Sequence, residues 1–250
     1  MDEEMWMLVV IALTAVVAGM IQNIAGFGAG VVMLLVLPRF FDVITAASLN
    51  QAICAGMTVI MALRYRRYLE IRKILLPGAG FMAAVVITIR LVKNIDLNWL
   101  GAAMGLFLLL LSLYYLLWQK KIEVDPSPAL ALCFGVMAGV LSGLFSVGAT
   151  LMAMYFLAVT GDRNHYMADL QTVLAVNNIV SLAARVSNGL YTADLAGITA
   201  LGFGAILIGQ FIGSRIAGRM NADKIKRFIY ILVGLTGIET MIRQLAAILR

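Results

Sequence analysis

The sequence predicts an all-α polytopic membrane protein made of two inverted repeats, each with about five membrane-embedded elements and a broken helix. Three observations lead there. Of 250 residues, 62% are hydrophobic and only 13% charged, about half the charge of a soluble domain. The apolar residues form continuous runs of about 20 or more, the length of a helical span, not the ~10-residue alternating segments of a β-barrel. And a glycine-punctuated apolar segment occurs twice. Ala18, Gly19, Gly28 and Ala29 are matched by Ala138, Gly139, Gly148 and Ala149 at a spacing of 120 residues.

Taken in order, the apolar segments fall at about 5–38, 43–63, 74–92, 97–118, 129–160, 167–184, 193–214 and 228–249. The first and fifth exceed 30 residues. Each is either one tilted span with an overhang or a full helix followed by a shorter one, with the glycines at the break. Charge favours the second option. Basic clusters sit at Arg64, Arg66, Arg67, Arg72 and Lys73, at Lys120 and Lys121, and at Arg215, Arg219, Lys224, Lys226 and Arg227. If both long segments reverse the chain, all three clusters face the cytoplasm, as the positive-inside rule demands. The acidic residues Asp2, Glu3 and Glu4 then face outward. A single pass for each segment puts the third cluster on the wrong side.

The repeat extends past the glycines. Asp42 matches Asp162; Ala47, Leu49, Ala62 and Arg64 match Ala168, Leu170, Ala183 and Arg185; Gly78 and Gly80 match Gly202 and Gly204. Pro126 and Pro128 mark the boundary, giving repeats over residues 1–124 and 125–250. Five elements per half is an odd number, so the halves enter the membrane in opposite senses, a design found in secondary transporters.

The function classes narrow in the same way. The net charge of +6 lies in short connections, where anionic headgroups neutralise it, so nucleic acid is not an expected partner. Cys54 and Cys133 lie inside apolar runs and read as packing. The Met-Asp-Glu-Glu start lacks the basic region of a signal peptide. No metal-ligand cluster, P-loop or catalytic constellation is legible; the expectation is a non-enzyme without cofactor or metal. No ionisable residue is central in an apolar run, which argues against a carboxylate relay in the core.

The glycine motifs also carry a family resemblance. AGFGAGVVMLLVLP (25–38) and GVLSGLFSVGAT (139–150) resemble the two signatures of the TauE/SafE family of membrane transporters, and GSRIAGRMNADKIKRFIYILVGLTGI (213–238) is similar to its last loop and final helix. The resemblance spans essentially the whole chain. It implies a bacterial plasma-membrane carrier associated with export of sulfite and small organosulfonates such as sulfoacetate. The chain departs from the usual pattern at Ala29, Ser146, Ala149, Thr150 and Ala158, where glycines and a proline are usual.

An anion in a bilayer needs donors, and a broken helix supplies free backbone N–H groups and a favourable dipole. Gln22, Asn23, Gly26, Gly28 and Gly30 in the first copy, and Ser142, Gly143, Ser146, Gly148 and Thr150 in the second, are therefore candidate substrate-binding residues. The competing reading is close helix packing through small residues. The second copy is expected to offer hydroxyls, the first mainly backbone. Asn50, Gln51, Gln171 and Asn177 are further candidates, because polar groups in lipid usually face a bundle interior; Asn178 and Ser181 share that face, and Gln210 is a weaker candidate. Arg64 and Arg185 are able to pair with an oxyanion, although an Arg at a helix end more often snorkels to the headgroups. His165 reads as a loop residue.

The expectation is thus a secondary exporter of a small anion, held between two opposed helix N-termini and moved by alternating access. A passive anion channel is the alternative; an enzyme or scaffold has no residues to support it. The bilayer and a small anion are the expected partners, and a homodimer is an option that the sequence allows.

Overall fold

A computed structural model describes residues 3–92, 94–117, 127–216 and 222–248. All regular structure among them is helical: α1 (Glu3–Ala25), α2 (Ala29–Met33), α3 (Val43–Tyr65), α4 (Ile71–Val92), α5 (Leu97–Leu117), α6 (Pro128–Phe145), α7 (Ala149–Val159), α8 (Arg163–Ser187), α9 (Ala196–Ile216) and α10 (Ala222–Ile248), with 3-10 turns at Leu37–Arg39, Arg66–Tyr68 and Ala193–Leu195. Seven of the described helices are long and apolar enough to span a membrane. The chain is an all-α polytopic membrane protein. Lys120, Lys121, Arg219 and the Pro126 side of the repeat boundary lie outside the described residues.

Local chemistry explains the helix starts. Asp42 caps α3 by accepting from Ile44 N (2.9 Å) and Thr45 N (3.0 Å). Asp162 caps α8 in the same way through Asn164 N (2.9 Å) and His165 N (3.3 Å). Ser127 caps α6 at Leu130 N (3.2 Å), with Pro128 following at the first helical position, where its missing N–H is harmless. Glu3 and Glu4 place negative charge in the first turn of α1.

Both long apolar segments are divided. α1 has 23 residues and ends at Ala25; the chain turns through Gly26–Gly28 and re-enters the bundle as α2. α6 ends at Phe145, turns through Ser146–Gly148 and continues as the 11-residue α7. Close contacts fix the sense of each helix pair. Gly209 meets Val16 and Gly213 meets Met20, so α1 and α9 run parallel. Gly135, Gly139 and Gly143 meet Pro77, Phe81 and Thr88 in turn, so α4 and α6 run parallel. Ser48 bonds Arg185 at one end of α3 while Thr58 bonds Asn178 further along, so α3 and α8 are antiparallel. Gly101 meets Gln244 and Gly105 meets Met241, so α5 and α10 are antiparallel too. With a single pass for each long segment, α3 would be parallel to α8 and α5 to α10. The observed senses require the chain to reverse at both breaks.

The pair α3 and α8 forms the middle of the bundle, and α1, α4, α6 and α9 surround it. Residues such as Ile11, Ala15 and Ala18 of α1 face inward with no exposure, while Leu13 and Val17 are exposed. An apolar surface of that kind matches lipid.

Candidate functional site

The two breaks meet at the level of Cys54 and Leu174, midway along α3 and α8. Gly26 (φ 83°) and Gly28 (φ 108°) turn the chain after α1 through left-handed backbone that only glycine adopts freely. Three side chains then fix this turn. Tyr166 donates its hydroxyl to Ala25 O (3.1 Å), Gln171 donates its amide to Gly26 O (2.6 Å), and Gln22 Oε1 accepts from Ala29 N (3.2 Å). In the second break the left-handed residue is Ser146 (φ 61°). Its N–H caps α6 at Ser142 O (2.9 Å), and its hydroxyl donates to Gln51 Oε1. The breaks touch: a Cβ on Gly30 would lie 2.8 Å from Ser146 O.

Between them lies a cavity of about 30 Å³, lined by Gln22, Gly28, Gly30, Thr58, Ser146, Val147, Thr150 and Asn178 among others. This is room for a few water-sized groups and not for a bulky solute. A polar chain runs along its wall. Asn50 donates to Gly30 O (3.0 Å) and Asn178 to Thr58 Oγ1 (2.9 Å); Gln51 links the second break to α8 by accepting from Ser146 while donating to Asn178 Oδ1. Thr150 at the start of α7 is 1% exposed, yet its hydroxyl has no hydrogen-bond partner among the described residues. Buried polar groups are normally paired, so this hydroxyl is a vacant donor or acceptor on the cavity.

Of the residues expected from sequence, Gln22, Gly28, Gly30, Ser146 and Thr150 line the cavity, Asn50 and Gln51 brace it from one bond away, and Gln171 holds the first break at Gly26 O. The others do different work. Asn23 packs beside Gly213 of α9. Gly26 turns the chain against Tyr166 and Met167. Ser142 accepts from Asn177 Nδ2 (3.1 Å), so Asn177 spends its amide there, and the neighbouring Asn178 is the one on the cavity. Gly143 and Gly148 are close-packing positions: a Cβ would lie 2.5 Å from Thr88 and 2.2 Å from Ala138 O. Arg64 is exposed at the end of α3. Two equivalent helix N-termini do not form. α2 is five residues long with its first N–H already taken by Gln22, whereas α7 begins at Ala149, and Gly148 before it offers no side-chain cap.

Arg185 departs most from the snorkelling reading. It is wholly buried and donates to Gly143 O (2.8 Å), Ser142 O (3.3 Å) and Ser48 Oγ (3.2 Å). These carbonyls belong to the last turn of α6, where the helix dipole favours a cation. Among the described residues no carboxylate pairs with it. Asp169, in the second turn of α8, is also wholly buried. Sequence reading did not single it out. Thr58 was missed too, although Asn50, Cys54 and Thr58 recur at i, i+4 and i+8 on one face of α3, a pattern that was there to be read.

Among the described residues no group of His, Cys, Asp and Glu is arranged to hold a metal ion. No curated protein and no solved structure matches the chain significantly. The profile of the family Sulfite exporter TauE/SafE matches residues 11–240, which takes in both breaks and the helices around them. The chain belongs to the TauE/SafE family of membrane transporters.

Proposed function

We propose that this protein is a secondary carrier that exports a small anion, sulfite or a small organosulfonate such as sulfoacetate, from the cytoplasm of a bacterium across its inner membrane. The observation that carries this reading is the polar cavity where the two breaks meet, with the unpaired Thr150 hydroxyl in its wall. Its polar lining is amide, hydroxyl and backbone, set beside the apolar Val31, Val147, Ala149 and Leu174, and no carboxylate lies among its lining residues. Such a lining donates to oxyanion oxygens without repelling them. Arg185, a buried cation beneath the second break, adds positive potential from a group that water does not screen.

The helix pairing supports alternating access. Exchanging the first five helices for the last five turns α1–α9 into α6–α4 and leaves α3–α8 and α5–α10 unchanged. The two pairs of repeat mates, α3 with α8 and α5 with α10, run antiparallel. A two-fold axis in the membrane plane produces that relation, and halves so related can rock about a shared site. An inside-negative potential would drive the anion outward.

A thermal-shift panel of the purified protein tests the reading. Sulfite, sulfate, thiosulfate, sulfoacetate, isethionate and acetate are compared at matched ionic strength. A ligand of the folded state raises the melting temperature by mass action. A sulfite or sulfonate shift that Thr150→Val reduces is expected. No shift with any oxyanion, or an undiminished shift in Thr150→Val, would overturn it. Saturable, counter-flow-stimulated flux in proteoliposomes separates a carrier from a channel.

A further inference from the structure

Asp169 is the one buried carboxylate among the described residues, and it stands away from the central cavity. Its Oδ1 accepts from the backbone N–H of Glu70 (2.9 Å), in the corner that joins α3 to α4. Its Oδ2 is buried with no hydrogen-bond partner among the described residues. A carboxylate uses its charge best when both oxygens accept; a dry oxygen without a donor is costly. A proton on that atom removes the cost.

The surroundings are equally specific. The corner presents Glu70, with Lys73 in the first turn of α4 and bonded to it (2.9 Å). α8 itself presents His165, whose Nε2 lies 3.9 Å from Glu70 and whose Nδ1 lies 3.2 Å from Asp162. Tyr68 of the Arg66–Tyr68 turn meets the His165 ring edge-on at 5.6 Å, and Tyr155 of α7 lies within electrostatic reach of Lys73. Arg64, Arg66 and Arg67 are exposed around the same corner. Titratable groups thus lead from the water-facing corner towards one buried acid. The same stretch of α8 also clamps the first break, through Tyr166 to Ala25 and Gln171 to Gly26.

We propose that Asp169 is a proton-binding site: ionised, it latches the α3–α4 corner to α8 through the Glu70 N–H, and protonated, it lets the corner loosen. A charge-assisted hydrogen bond is roughly twice as strong as a neutral one, so the proton weakens the latch without breaking covalent structure. Loosening there reaches the cavity because α8 holds both the corner and the first break. This last step rests on the carrier reading above; the proton site itself does not.

The test is backbone hydrogen–deuterium exchange over residues 66–73 of the full-length protein in lipid nanodiscs, from pH 5.5 to 8 and corrected for intrinsic exchange. The wild type is expected to exchange several-fold faster at the acid end. Asp169→Asn, neutral at every pH, is expected to exchange fast throughout. Asp169→Glu is expected to regain a pH-dependent profile, and His165→Ala to keep the wild-type one. A wild-type profile in Asp169→Asn, or a flat one in His165→Ala, overturns the proposal. If Asp169→Asn fails to fold, a flat wild-type profile overturns it and a steep one retained in His165→Ala supports it. Melting shifts with the same oxyanion panel, run on the same samples, report on the central cavity alone. Their absence would sink the carrier reading and leave the exchange result standing.

Discussion

The two breaks interrupt equivalent apolar runs, yet they are stabilised by different means. The first uses backbone freedom: two left-handed glycines, with carbonyls and an N–H held by Tyr166, Gln171 and Gln22. The second uses side chains and steric fit: a left-handed serine bonded to Gln51, a glycine in ordinary right-handed backbone against Ala138, and a buried arginine on the preceding carbonyls. The lengths that follow differ as well, five residues in α2 and eleven in α7. A matched motif therefore does not imply a matched role for each residue. Glycine at the last position of the break is needed for its φ in the first half and for its missing Cβ in the second.

That contrast sets the largest expected effect. Gly28→Ala meets only Ile21 Cγ2 at 3.3 Å, so its cost is backbone strain of about 1–2 kcal/mol, and the protein should still fold. Gly148→Val must fit a Cβ 2.2 Å from a backbone oxygen and 2.9 Å from both Phe81 and Ser142. Its cost should reach or pass the upper end of the ~1–3 kcal/mol seen for overpacking. Melting in detergent and yield of monodisperse protein compare the two. Equal losses would mean that the breaks are equivalent after all.

The repeat-related arginines come next. Arg185→Met strips donors from Ser48, Ser142 O and Gly143 O, all buried, at about 1–3 kcal/mol for each group left unsatisfied. Ser142 O keeps the Ser146 N–H, so the loss should fall short of the full sum. Arg64→Met removes an exposed side chain and should stay within about 0.5 kcal/mol. Unfolding by denaturant in mixed micelles measures both. A loss for Arg64→Met as large as that for Arg185→Met would contradict the asymmetry.

The arginines also mark where sequence stops being informative. Span positions were legible to within a few residues, because composition and length decide them. The breaks were legible because glycines inside a long apolar run have few other uses. What a polar residue near a helix end does was not. Arg64 and Arg185 occupy matching positions, and only the arrival of α6's last turn beside α8 buries one of them. Nothing in the sequence marks Asp169 as buried, because its burial comes from the α3–α4 corner folding over it, a contact between residues 99 apart. Asn177 and Asn178 differ by one helical step, about 100° of rotation; periodicity in so polar a stretch does not resolve which of them lines the cavity, and in the structure it is Asn178.

Ser146 gives a middle-sized test of the same contrast. Ser146→Ala keeps a Cβ at φ 61° and deprives Gln51 Oε1 of its donor, at about 1–3 kcal/mol. Ser146→Gly also loses the hydroxyl but removes the left-handed strain, so it should recover about 1 kcal/mol relative to alanine. That glycine would make the second break like the first. If Ser146→Gly is no more stable than Ser146→Ala, strain contributes nothing there, and the hydroxyl alone explains the serine.

The smallest effect concerns the matched caps Asp42 and Asp162. Each accepts two backbone N–H groups, but Asp162 also accepts from His165 Nδ1 (3.2 Å). The hydrogen bond from the His165 side chain, followed by the backbone bonds from His165 and Asn164, holds the Asp162 carboxyl below the usual carboxylate range. A carboxyl whose folded value is depressed stabilises the fold above its unfolded value, near 4, and that contribution is lost as pH falls through the folded value. Acid sensitivity from this cap should therefore appear only below about pH 4. His165→Ala should raise the Asp162 value and move the loss to higher pH, with little change at neutral pH because the group is exposed and screened. Titration of the Asp162 carboxyl by NMR in wild type and His165→Ala reads this directly. An unchanged value in the variant would leave the two backbone N–H groups as the whole cause, and the two caps would then be alike.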